Sequence, residues 1–195
     1  MNNLIEKSKK LFKKRIKKFG RISAGRLDPF GLVKHVDEVV KWADYLSNKH
    51  PQADRQIIMM AVWLHDIGHY PLPAEMDHAI RSEVLAKQFL TKEKFNKKKT
   101  AGILHCIRAH RCKDVMPQSI EAKIVACADS ASHMTDSIYM DMARDDKMLK
   151  QDFRVYEKMK RDFRDVMVFP EVRLILAPLH RAWQKVIKEY EKIDL

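Results

Sequence analysis

Apolar positions recur at helical spacing through most of the chain. Leu4, Ile5, Leu11, Phe12, Ile16 and Phe19 trace one stripe between lysines, and Leu32, Val36, Val39, Val40, Ala43 and Leu46 trace a second. Residues 57–64 form an uninterrupted apolar run, which falls within the helix expected from Pro51 to Gly68. Few Val/Ile/Thr runs alternate at period two and only five glycines occur, so the pattern predicts an all-α fold. Its breaks place helices at about 2–19, 32–48, 51–68, 77–90, 97–111, 118–142, 146–167 and 171–192. Gly20 to Gly31 turn the chain, Pro51 opens the third helix, and Tyr70-Pro71-Leu72-Pro73 is a loop that borders any pocket nearby. Pro178 is expected to kink or interrupt the last helix, and Phe153, Tyr156, Phe163, Trp183 and Tyr190 to pack the C-terminal ones.

Certain polar residues fall on the apolar faces. His35 lies inside the stripe of the second helix, and Ala122, Val125 and Asp129 recur at i, i+3, i+7 on a later one. The adjacent pair His65-Asp66 closes the apolar run. A carboxylate taken out of water costs several kcal/mol unless a cation or metal compensates, so inward-facing Asp66 and Asp129 each call for a partner. A single inward histidine is more often a hydrogen-bonded core residue; four N/O donors from three helices together point to a shared divalent ion. Imidazole and carboxylate donors without thiolate suit Mn²⁺, Fe²⁺, Co²⁺, Ni²⁺ or Mg²⁺ and argue against a thiolate zinc site.

The ordered set His35, His65-Asp66 with Ile67-Gly68 behind it, and Asp129 after Ala128 resembles the HD-domain superfamily of metal-dependent phosphohydrolases, over about residues 30–135. The resemblance implies a helical bundle of the HD-domain type and one or two metal ions per chain, His35, His65, Asp66 and Asp129 holding the first. Members with two metals add histidines between the His-Asp pair and the last aspartate, which implies that His78 and His110 bind the second ion with Asp66 bridging. His110 shares an inward face with Ile103 and Ile107, whereas His105 projects away from it. His69 stands where many members have lysine and is a candidate to face substrate. Arg81, one turn beyond His78, is the first candidate for contacting phosphate, and Arg111, grouped with Arg108 and Lys113 near His110, the next. Asp77 is open to three roles: orienting an imidazole, accepting a proton or capping a helix. His133, one turn after Asp129, is a candidate to orient that carboxylate. Asp66, Arg81 and His69 are therefore the candidate catalytic residues.

Composition places the chain among intracellular, cytoplasmic proteins of one domain. It has 195 residues, 46% hydrophobic and 33% charged, and no apolar run approaching the ~20 residues that cross a bilayer. Cys106, Cys112 and Cys127 are odd in number and lack CxxC spacing, which fits a reducing compartment. Residues 1–28 read as a basic amphipathic helix and turn of the same domain, 29–142 as the metal-binding core and 143–195 as helices packing on it, apolar enough to leave a homodimer open.

Absence of a P-loop, a Gly-rich dinucleotide fingerprint or a nucleophilic Ser/Cys motif leaves metal-activated water as the economical nucleophile. The expected reaction is hydrolysis of a phosphomonoester or phosphodiester, with a nucleotide as substrate. The net charge of +12 and the basic first segment keep rivals in view. One is an RNA or cyclic-dinucleotide phosphodiesterase steered by the positive field; another is a non-catalytic nucleic-acid-binding protein using the N-terminal helix. The plainest role for that helix is to pack its stripe on the bundle and expose its lysines.

Overall fold

The computed structural model describes residues 2–20, 28, 31–72, 74–150 and 152–193. The expected turn between Gly20 and Gly31 lies mostly outside the described residues, as does Pro73 of the expected loop. Among the described residues there are nine helices and no strand, so the fold is all-α. The chain divides within its sixth helix into two compact units, residues 1–126 and 127–195.

The first unit is built round one buried helix. Helix α3 (Arg55–Leu64) buries every residue from Ile58 to Leu64, and α1 (Asn2–Phe19), α2 (Leu32–Lys49) and α5 (Lys97–Ala109) pack round it. Helix α4 (His78–Lys92) packs mainly on α5. α3 is shorter than the 51–68 its sequence suggests. Asp54 accepts from Gln56 N and Ile57 N and so caps the helix three residues after Pro51, while residues 65–68 leave the helix as a turn. Asp28 caps α2 likewise, accepting from Leu32 N at 2.9 Å and Val33 N at 3.0 Å. On α1, Ser8, Phe12 and Ile16 are buried, and the Phe12 ring meets Trp63 at 6.0 Å. Arg15 on the same helix donates to the carbonyls of Ile67 (2.7 Å) and Tyr70 (3.1 Å). The basic helix is therefore part of the core, its stripe inward.

Helix α6 (Ile120–Thr135) carries the division between the units. The single helix expected over 118–142 is in fact two, because Asp136 accepts from Ser137 N at 2.7 Å and Ser137 donates to Asp141 at 2.9 Å. Short polar side chains bonding to local groups compete with the helical ladder. In the second unit α7 (Ile138–Met148), α8 (Val155–Val166) and α9 (Pro170–Glu191) pack pairwise. The helix expected from 146 begins only at Val155. Asp146, fully buried, accepts from Arg154 Nε (2.7 Å) and Val155 N (3.2 Å) there. Tyr139, Val155, Met159, Val166, Val172, Leu176 and Ile187 form the core. Of the expected packing residues, Trp183 meets Tyr139 edge-on at 5.7 Å and Phe163 stacks on His180 at 4.1 Å, while Tyr156 donates to Glu191 at the surface. α9 continues through Pro178 without interruption. The Leu174 carbonyl, which Pro178 cannot bond, belongs to a residue on the exposed side, open to solvent.

Candidate metal centre

The end of α3 shapes the site. His65 is its C-cap, and its Nδ1 lies 2.7 Å from the Val62 carbonyl. A carbonyl only accepts, so the proton sits on Nδ1 and the lone pair on Nε2. His110, C-cap of α5, repeats the device with Nδ1 at 2.7 Å from the Ile107 carbonyl. Two helix ends thus hold imidazoles in the tautomer a metal ligand needs, with Nε2 pointing inward.

Asp66 lies between them, 6% exposed. Its Oδ2 is 3.8 Å from His35 Nε2 and 3.5 Å from His65 Nε2; its Oδ1 is 3.4 Å from His78 Nε2 and 3.9 Å from His110 Nε2. Each carboxylate oxygen therefore faces its own pair of imidazoles. Two ligands about 2.1 Å from one ion are separated by roughly 3.0–3.4 Å, close to these spacings. Oδ1 is buried with no hydrogen-bond donor, although a buried carboxylate oxygen ordinarily has one. His78 Nε2 and His110 Nε2 lie only 3.3 Å apart, a separation that needs a proton or a cation between two lone pairs. Ligand atoms of His65, Asp66 and His110 all fall within 4.8 Å of one another. The donor set fits a divalent ion.

The electrostatics agree. Burial alone would raise the Asp66 carboxyl, but His65, His78, His69 and His110 hold it below the usual carboxylate range, ionised. Burial pushes His78 and His69 down against the pull of Asp66, which favours the neutral imidazole that ligates.

Close packing fixes the pair. A Cβ on Gly68 would lie 2.4 Å from Ser82 N and 2.7 Å from the Arg81 carbonyl carbon, so glycine lets the segment press against the backbone of α4. Gly68 N donates to Ser82 Oγ at 2.9 Å. Arg81 donates to the carbonyls of His69 (2.9 Å) and Pro71 (3.0 Å), so it braces the chain opposite Arg15. An open cleft of about 430 Å³ is lined by His69, Leu72, Met76, Asp77, His78, Arg81 and Lys113 among others. His78, partly exposed, joins it to the buried cluster, and the His69 ring lies 5.0 Å from that of His78.

The remaining candidates fall out as follows. Asp77 caps α4 by accepting from Ala79 N at 2.9 Å and forms an ion pair with Arg111. Arg108 turns away to Asp114, and His105 accepts from Gln118 N at 3.1 Å. Arg15 was not expected near the pair; its place in the inward stripe's flank was the available signal.

Asp129, in the second unit, is buried on α6 with His133 Nε2 3.8 Å from its Oδ1. Behind His133 lies Asp162, with Nδ1 to Oδ2 at 3.2 Å; Asp162 also accepts from Tyr139 (2.9 Å) and Lys158 (3.2 Å). Burial would raise Asp162, but His133 and then Lys158 hold it low, whereas burial and Asp162 push the Tyr139 phenol up. Asp162 went unnoticed in the sequence, although it stands between Met159 and Val166 on an inward stripe, as Asp129 does on its own.

A family model described as the HD domain matches residues 32–134, more than half of the chain, and the chain belongs to that family. No curated protein and no solved structure matches it. The family is a superfamily of metal-dependent phosphohydrolases, and the buried His/Asp cluster is compatible with a divalent metal. No helix among the described residues is long and apolar enough to cross a membrane.

Proposed function

We propose that this protein hydrolyses a nucleotide phosphoester by metal-dependent attack of water. One observation carries the reading: the two oxygens of Asp66 face different pairs of imidazole nitrogens, as a carboxylate shared by two ions would. His35, His65 and Asp66 would hold the first metal and His78 and His110, with Asp66, the second. When bound, such ions lower the pKa of coordinated water from about 15.7 towards 7 and offset charge developing on the phosphate.

The chain's own groups supply the rest. Val62 and Ile107 carbonyls keep His65 and His110 in the ligating tautomer. Lys113 and Arg81 line the cleft beside the carboxylates of Glu75 and Asp77 and are its groups for meeting a phosphate, and Leu72 and Met76 give it an apolar side for a base. His69 stands at the mouth, placed to hydrogen-bond a phosphate oxygen or the departing group. Arg111 reaches the same edge through Asp77.

The test is phosphate release from a panel of nucleotides by protein stripped of metal and reloaded with Mn²⁺, Co²⁺, Ni²⁺ or Mg²⁺, beside Asp66→Ala. Metal-dependent turnover absent from the variant is the expected result. Silence across the panel from wild-type protein that retains its metal would overturn the reading.

A further inference from the structure

We infer that the outer face of α1, together with the adjoining α4–α5 connection, is a docking surface for the phosphate backbone of a double-helical nucleic acid. Ser8, Phe12 and Ile16 turn the apolar stripe of α1 into the core, so the lysines on the opposite side are held on a fixed support. Lys10, Lys13, Lys14 and Lys17 stand exposed at i, i+3, i+4, i+7, the spacing of one helix face. Among the described residues none of the four has a carboxylate within 4.0 Å. Lys7, by contrast, pairs with Glu93 at 2.5 Å, and exposed Lys92, at the end of α4, and Lys94, in the α4–α5 connection, flank that glutamate in sequence. Like charges three and four residues apart destabilise a helix, and a few glutamates on this face would relieve the repulsion. A dense row of external phosphates relieves it equally.

The choice of occupant follows from what the surface lacks. Membrane insertion needs a free apolar face, and that of α1 is already buried. Single strands are gripped by aromatic platforms, yet Phe12 is buried and Phe19 lies under Arg15 (4.9 Å) and Lys18 (4.8 Å), away from the four lysines. Point charges on a rigid rod match the high charge density of a duplex backbone, without reading its sequence.

The experiment is a fluorescence-anisotropy titration of the full chain with short labelled RNA and DNA duplexes at several salt concentrations. Each lysine that neutralises a phosphate adds about −0.9 to the slope of log K against log salt, so these four contribute about −3.6. That is roughly a 150-fold loss between 50 and 200 mM salt. Replacing all four by Gln should flatten the slope by about 3.6 without changing helix content by circular dichroism. The smaller Lys13→Gln/Lys17→Gln variant should flatten it by about half that. An unchanged slope in the variants, or no duplex binding by wild type at low salt, would overturn the proposal. Binding to phosphatidylserine vesicles but not to duplexes would overturn it in favour of a lipid surface. None of these readouts involves turnover, so failure of the phosphohydrolase reading leaves this test intact.

Discussion

Gly68→Ala adds one methyl group where the metal pair presses on α4. Its Cβ would meet Ser82 N at 2.4 Å and the Arg81 carbonyl carbon at 2.7 Å, against the 3.0 Å below which Cβ atoms are essentially never found. The segment and α4 must therefore separate by about 0.6 Å at the nearest contact. Both partners are main chain, so no rotamer change relieves the clash, and the upper end of the overpacking range applies, about 3 kcal/mol. Losing the hydrogen bond from Gly68 N to Ser82 Oγ adds about 1 kcal/mol. At roughly 2–4 °C per kcal/mol for a chain of this size, the melting temperature should fall by about 10 °C. Metal sites tolerate about 0.2 Å in ligand position, so binding should weaken tenfold or more, as read by calorimetry with Mn²⁺ or Co²⁺. Ser82→Ala, which removes only the hydrogen bond, is the control and should cost about 1 kcal/mol. Unaltered melting and metal affinity in Gly68→Ala would refute the claim that close approach to α4 positions the pair.

Two further tests address the supports of each unit. Arg15→Met removes two hydrogen bonds to the carbonyls of Ile67 and Tyr70 and, because the side chain is only half-buried, should cost about 2 kcal/mol and weaken metal binding. Equal melting temperature and equal affinity would dismiss Arg15 as a brace. His180, stacked on Phe163, has its pKa lowered by burial, so below about 6.5 the unfolded chain takes up its proton before the folded one does. Stability from this group is full above that pH and is lost as pH falls towards the lowered folded value. Thermal melts between pH 8 and 5 should therefore show a shallower acid loss in His180→Gln than in wild type, and parallel curves would contradict the assignment.

Much was decided by the sequence alone. A stripe at helical spacing reports which face is buried, and a polar residue on that stripe must find a partner, so the sequence itself singles out His35, Asp66 and Asp129. The same periodicity set the all-α class and the inward face of α1. Helix ends were less legible, because Asp54, Asp136 and Asp146 each stop or start a helix through side-chain hydrogen bonds that compete locally with an otherwise continuous pattern.

Only the tertiary structure decided what these residues do to one another. That each Asp66 oxygen faces its own imidazole pair depends on the approach of α2, α4 and α5 to the end of α3, which brings in histidines 31, 12 and 44 residues from Asp66 in the chain. That Gly68 admits α4, and that Arg15 and Arg81 hold different carbonyls of the 67–71 segment from two helices, are likewise matters of contact. Periodicity carries the direction in which a side chain points; it carries nothing about the distance to whatever it meets.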